Sequence, residues 1–108
     1  MSGLLEVKKY QLVIEFRGDG PEDLQRITDF ELSFENKLKN GEIDGNDVGQ
    51  GIINLFIITK NPAKCFEEII GYLKLGQLQP SAAGYRLLDE DDYVRLWPDN
   101  DKTPFELK

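Results

Sequence analysis

The chain has 108 residues, a formal net charge of −7 at pH 7 and no histidine. This length suits one domain with its own core, and the acidic balance argues against nucleic acid or an anionic membrane surface as a partner, since both need clustered Lys and Arg. The lack of histidine excludes histidine triads and histidine metal sites, and the single cysteine excludes disulfide frameworks. We therefore expect a single acidic domain over 1–108, with no cofactor and no metal.

The first third of the chain predicts a strand and then a helix. Residues 8–17 alternate between apolar and polar side chains, which is typical of a strand with one buried face. A glycine-rich break follows, and Pro21 then suits the first position of a helix. Apolar residues at helical spacing, with Gly41 just beyond them, predict that this helix extends over 21–40.

The middle of the chain predicts two strands and a second helix. The segment 42–51 is rich in glycine, aspartate and asparagine, which indicates a short irregular strand and a tight connection. Residues 52–59 are apolar on both faces, as in a central strand that is covered on both sides. Asn61 followed by Pro62 is typical of a helix start, and we expect this helix over 62–75.

The last part of the chain predicts a hairpin over 83–97, with Pro98 ending its second strand. The polar tail 99–108 is expected to be partly flexible. The order strand, helix, strand, strand, helix, strand predicts an α+β, ferredoxin-like fold: a βαββαβ antiparallel sheet with two helices on one face and, here, an extra C-terminal strand. The first and third strands are central in that fold, and they are the two most apolar segments of this chain.

Two parts of the sequence carry a recognisable pattern. The first is D-G-N-D-V-G-Q-G over 44–51 followed by N-L-F-I over 54–57, and the second is A-G-Y-R over 83–86 with L-W-P over 96–98. Together they resemble a group of small bacterial ferredoxin-like proteins of unassigned function. The resemblance implies the same fold and a bacterial origin, and it carries over no catalytic residue. Some immunity proteins, which protect bacteria from toxins, are similar in size and charge.

The glycine-rich stretch 44–51 fits a structural turn better than a ligand-binding loop. A dinucleotide-binding loop leads from a strand into a helix, whereas these glycines lead into a strand. As a calcium loop the stretch places Val48 and Leu55 where oxygen ligands are needed. Turn chemistry explains the residues present, and we expect Asp44 and Asp47 at an exposed acidic loop tip that could bind a partner.

Two further side chains have an expected structural role. Asn54 interrupts an apolar run, and a buried amide without a hydrogen bond costs about 1–3 kcal/mol. We expect it to tie down the preceding glycine turn, although a specificity group in a pocket is the alternative. Cys65 has no histidine to activate it, so we expect a structural cysteine. An enzyme would have to use carboxylates alone, and we therefore expect no catalytic residues.

The acidic segment near the C-terminus is the preferred partner-binding surface. Tyr93, Arg95 and Trp97 alternate along one predicted strand and are expected on one face, and these residue types are enriched at binding hot spots. Acidic neighbours would steer a basic protein towards them. The alternative is that Trp97 covers the core and the acids only aid solubility. The candidate residues are Asp89, Asp91, Asp92, Tyr93, Arg95 and Trp97.

The sheet face away from the helices should expose apolar side chains, among them Val13 and one side of 52–59. Either the segment 93–105 or a second copy of the chain is expected to cover it. The preferred function is a cytoplasmic, non-enzymatic domain that binds a basic protein, with a toxin-neutralising immunity protein as its most concrete version. The alternative is a small-ligand-binding or regulatory homodimer that uses the open sheet face.

Overall fold

The computed structural model describes residues 8–18, 20–98 and 103–107. Its elements are, in chain order, β1 (Tyr10–Arg17), α1 (Pro21–Phe34), β2 (Glu42–Gly49), β3 (Ile52–Thr59), α2 (Pro62–Leu75), β4 (Ala82–Leu87) and β5 (Val94–Trp97). The strands form one antiparallel sheet in the order β2-β3-β1-β4-β5. This order confirms the predicted ferredoxin-like α+β fold, with β1 and β3 in the centre and β5 added beside β4.

The main core lies between the two helices and one face of the sheet. Successive side chains of a strand point to opposite faces, so alternate residues of the central strands reach this core. Both helices contribute to the same cluster, which confirms that they cover one face. The buried members are Leu12, Ile14, Phe16, Ile53, Leu55, Ile57 and Ala83 from the sheet, and Ile27, Phe30, Cys65, Phe66, Ile69 and Leu73 from the helices. Within the described residues, no helix is long and apolar enough to span a membrane.

α1 is shorter than predicted, because it ends at Phe34 rather than near residue 40. The chain leaves the helix so that the backbone N–H groups of Lys39 and Asn40 can donate to the Glu68 carboxylate of α2, at 2.8 and 3.0 Å. A continued helix would use those N–H groups in its own ladder.

α2 begins and ends where the sequence predicts. The Asn61 side chain accepts a hydrogen bond from Lys64 N at 3.2 Å, which satisfies one of the free N–H groups of the first turn. At the other end, Gly76 N donates to Tyr72 O at 3.0 Å. The second helix is therefore specified by local capping residues, unlike the end of α1.

β2 is longer and more regular than predicted. It pairs with β3 along its whole length, with one register shift at Asp44. The turn itself is Gln50-Gly51, whose φ values of 55° and 78° suit a two-residue hairpin loop. The prediction that Asp44 and Asp47 form a loop tip is therefore wrong: both are exposed residues of an edge strand. The turn formers in this segment are tolerated because the strand has one unpaired edge.

β5 contains a bulge that changes which side chains share a face. Gly84 lies opposite Arg95, and the register then shifts so that Leu96 has no partner of its own. Trp97 consequently packs on the helix-covered core. Arg95 remains on the opposite face of the sheet, called the second face below. The prediction that Tyr93, Arg95 and Trp97 share one face is wrong, because alternation holds only while the register is unbroken.

Candidate functional site

The C-terminal segment 103–107 covers part of the second face of the sheet. Phe105 is 5% exposed and forms a small cluster with Val13 and Ala82. Its ring lies directly on Gly84, where an added Cβ would be 2.5 Å from the Phe105 Cγ. Of the two occupants expected for this face, the chain's own C-terminal segment is the one seen over β1 and β4.

Arg95 holds this segment against the sheet. Its Nε donates to Thr103 O at 2.7 Å, and its Nη2 donates to Pro104 O at 3.2 Å. Its Nη1 donates to Trp97 O at 3.1 Å, and the guanidinium lies 5.8 Å from the centre of the Phe105 ring. The guanidinium expected to contact a partner thus binds carbonyl groups of its own chain.

Tyr93 also contributes to the packing of the second face. Its ring lies 5.4 Å from that of Phe105, and its hydroxyl donates to Gln11 Oε1 at 3.0 Å. The Arg86 guanidinium stacks 5.9 Å from the Tyr93 ring centre. Tyr93 therefore links β1, β4 and the C-terminal segment, and this explains its presence without a partner.

The acidic turn, which we define as residues 88–92, joins β4 to β5 and has an anchored backbone. Arg86 Nη1 donates to Leu88 O at 3.0 Å and to Glu90 O at 2.9 Å. On the other side, Leu88 N donates to Lys9 O at 3.1 Å. Arg86 and the residue just before β1 thus hold the main chain of the turn through its carbonyl and amide groups.

The carboxylates of the acidic turn are all directed to solvent. Asp89, Glu90, Asp91 and Asp92 are exposed, and no described residue forms a hydrogen bond or ion pair with their side chains. Leu88 is 41% exposed, and Val94, just beyond the turn, is 51% exposed. The predicted acids therefore lie together on an accessible surface that also carries apolar side chains.

Trp97 lies at the other end of β5 and has two environments. One side of the ring packs near Phe66 of α2, with the ring centres 6.3 Å apart. The rest lines a largely apolar cleft of about 480 Å³ between α2 and the loop before β4, which Leu78 and Pro80 also line. Trp97 covers the core, as one alternative expected, and it is also partly accessible from this cleft.

A row of buried polar side chains crosses the second face, and Asn54 is the member that the sequence analysis singled out. Asn54 is 1% exposed, and its Nδ2 donates to Asp47 Oδ1 at 3.1 Å. Glu15 lies opposite Asn54 and is 5% exposed, and its Oε2 accepts a hydrogen bond from Ser81 Oγ at 2.8 Å. Asn54 thus holds the glycine-rich segment through a side chain. Glu15 lies beside residues 103–106 of the C-terminal segment, so its burial depends on packing between residues far apart in the chain.

A second cleft of about 390 Å³ lies at the end of the sheet where β1 and β2 begin and β3 ends. Lys9, Lys39 and Lys60 line it, and Glu42 is the one acidic residue in its described lining. The wall formed by 38–41 is fixed, because the Glu68 carboxylate accepts hydrogen bonds from two backbone N–H groups and from Asn40 Nδ2. The described lining of this cleft therefore carries three lysines and one acid.

Cys65 lies beneath that wall and is fully buried. Burial raises the pKa of its thiol to about 11, with the charge of Glu68 adding to the rise and a hydrogen bond with Thr59 opposing it. A thiol in this state is a poor nucleophile, as expected for a structural cysteine. Among the residues that the structure describes, no cluster of three or more His, Cys, Asp or Glu side chains could hold a metal ion.

No protein-family model, no curated protein and no solved structure matches the chain. The assignment of the ferredoxin-like fold therefore depends on the strand order and the two helices. Membership of a group of small bacterial ferredoxin-like proteins stays a prediction from the residues of 44–57 and 83–98.

Proposed function

We propose that this domain binds a basic protein partner through the acidic turn, and that it does so without catalysis. The observation that carries the proposal is the contrast between the backbone and the side chains of the turn. The backbone is anchored by Arg86, while four adjacent carboxylates are exposed and unpaired within the described residues. A charged surface that is already ordered loses little conformational entropy when a partner binds.

The arrangement also supports a division between steering and contact. Adjacent carboxylates attract a basic surface at long range and raise its association rate. Leu88 and Val94 flank them and offer apolar area for the contact itself. Arg95 and Tyr93 instead contact the C-terminal segment 103–107, which they hold against the sheet. The contact surface we propose is therefore Asp89, Asp91 and Asp92 with these two apolar neighbours.

A protein that neutralises a toxin by covering its basic surface would use such a turn, and we keep this immunity role as the most concrete version of the proposal. The homodimer through the open sheet face stays the alternative. Phe105 occupies the part of that face over β1 and β4, so a second copy would have to use the part over β3 and β2, where Phe56 and Ile58 are half-buried.

The test compares two variants with the same net charge. In the turn variant, Asp89→Asn, Asp91→Asn and Asp92→Asn remove three charges from the acidic turn. In the control variant, Glu22→Gln, Glu35→Gln and Glu67→Gln remove three exposed charges from the helical side. Each tagged protein is incubated with lysate of the source cells at low and at high salt. Retained proteins are then purified, and their affinity is measured directly.

The proposal expects a basic protein that binds the wild type and the control variant with similar affinity. The turn variant should bind it about tenfold to a hundredfold more weakly, since each exposed charge contributes about 0.5–1 kcal/mol at most. High salt should weaken the wild-type complex through the association rate. Equal binding by both variants, or a partner insensitive to salt, would overturn the proposal.

A further inference from the structure

We propose that the cleft lined by Lys9, Lys39 and Lys60, called the lysine cleft below, binds a small molecule that carries phosphate groups. The three lysines come from separate places in the chain: before β1, between α1 and β2, and after β3. The fold brings them to one cleft in a protein whose net charge is −7. The site is independent of the acidic turn and of its proposed protein partner.

The positive charges in the lysine cleft are only partly balanced within the described residues. The Lys39 charge interacts with the Glu68 carboxylate, whereas no described residue forms a hydrogen bond with the ammonium groups of Lys9 and Lys60. Glu42 is the one acid of the described lining, and Glu68, on the far side of the wall, is already bound by three N–H groups. Three positive charges in one cleft lined by a single described acid would attract a bound polyanion.

The walls of the lysine cleft are preorganised. Gly41 approaches β3 so closely that an added Cβ would lie 2.9 Å from Ile58 O and from Cys65 Sγ. The Thr59 hydroxyl donates to Asn40 O and accepts from Asn61 N, which ties the wall to the start of α2. A ligand would therefore enter a cleft whose backbone is already held, and little ordering would accompany binding.

The lining favours phosphate over other anions. The described lining holds lysine and no arginine, and lysine binds phosphate as a point charge, whereas paired recognition of a carboxylate favours the arginine fork. Asn61, the cap of the 14-residue helix α2, also lines the cleft, so the positive end of the helix dipole adds to the potential. A volume of about 390 Å³ equals that of roughly a dozen waters, which admits a phosphate group with a small organic body.

The test is a titration of the ¹⁵N-labelled protein with inorganic phosphate, pyrophosphate and citrate, followed by amide chemical shifts. The cleft variant carries Lys9→Gln, Lys39→Gln and Lys60→Gln. A control variant of equal charge carries Lys8→Gln, Lys37→Gln and Lys74→Gln, which are exposed and lie outside the lining. Unchanged amide signals of the central strands show that both variants keep the fold.

The proposal expects pyrophosphate to shift the amides of 39–42 and 59–61 and to bind more tightly than phosphate. The cleft variant should bind pyrophosphate about tenfold more weakly, and the control variant should match the wild type within about twofold. Equal affinities in the two variants, or shifts spread over the whole surface, would overturn the site. Citrate bound as tightly as pyrophosphate would overturn the assignment to phosphate. Loss of the protein partner in the turn variant would leave all of these results unchanged.

Discussion

The ring of Phe105 lies on the backbone of Gly84, so close that a Cβ at position 84 would be 2.5 Å from the Phe105 Cγ. The contact joins a residue near the end of the chain to the middle of β4. It gives the sheet a small second cluster on the face away from the helices, where Val13 and Ala82 are also buried. The antiparallel sheet is therefore covered on both sides near β1 and β4, although neither of the two described helices lies on the second side.

Gly84→Ala should displace the Phe105 ring and lower the free energy of unfolding by about 1–3 kcal/mol, the usual cost of overpacking. Gly71→Ala is the matched control, because Gly71 is an exposed helix residue with open space around its Cα. That change should raise stability by about 0.5–1 kcal/mol, since alanine favours a helix more than glycine. Urea unfolding measures both. A Gly84→Ala protein as stable as the wild type would contradict the contact.

Arg95→Lys should loosen the C-terminal segment. Lysine keeps the charge but cannot donate to Thr103 O, Pro104 O and Trp97 O at once, as the guanidinium does. We expect stability to fall by about 1–2 kcal/mol, and amide hydrogen exchange to rise in 103–107 while the helices stay protected. Arg17→Lys, at an exposed position, is the control and should change neither quantity.

The sequence predicts correctly those elements whose bounds depend on interactions between residues close together in the chain. α2 starts at Asn61 because that side chain caps its first turn, and the central strands follow from their apolar patterns. The end of α1 depends on Glu68, which lies far along the chain. The exposed face of β5 depends on a bulge opposite β4, and alternation within the strand cannot reveal it.

The acidic turn and the lysine cleft also differ in whether their residues are close together in the sequence. The acidic turn is contiguous in sequence, so its charge could be read directly, although the role of Arg86 beneath it could not. The lysine cleft is assembled from three distant segments, and its lysines are at least 21 positions apart in the sequence. The surroundings of Arg95 could not be predicted for a related reason, because they are created by residues 103–107.

Cys65 should be inert towards thiol reagents in the folded protein near pH 8, since its side chain is fully buried and burial raises the pKa of its thiol to about 11. Gly41→Ala should change this, because the new Cβ would lie 2.9 Å from Cys65 Sγ and Ile58 O. We expect labelling to accelerate about tenfold or more as local opening becomes easier.

The control for this labelling experiment is Gly49→Ala, at an exposed β2 position with no atom within 4 Å of the added Cβ. It should label at the wild-type rate. Rapid modification of the folded wild-type protein would show that Cys65 is accessible, and would contradict the packing of the wall against α2.

Glu68→Gln should destabilise the protein fully above about pH 4.5, and progressively less as the pH falls from there through the lower pKa of Glu68 in the folded state. Partial burial alone would raise the pKa of Glu68, but hydrogen bonds from Lys39 N and Asn40, together with the Lys39 charge, outweigh this and lower it below its ordinary value of 4.5. The carboxylate is therefore favoured in the folded state. Its stabilisation is complete above the unfolded pKa and is lost as the pH falls through the folded pKa.

The expected difference in unfolding free energy between wild type and Glu68→Gln is about 1–2 kcal/mol at pH 7, because glutamine keeps an acceptor oxygen but loses the charge. Urea unfolding across pH 3–7 measures it, with Glu67→Gln as the control at the neighbouring exposed position. The difference in unfolding free energy between Glu67→Gln and the wild type should not change with pH in this range. A Glu68→Gln deficit that stays constant down to pH 3 would mean that the carboxylate charge does not hold the 38–41 wall.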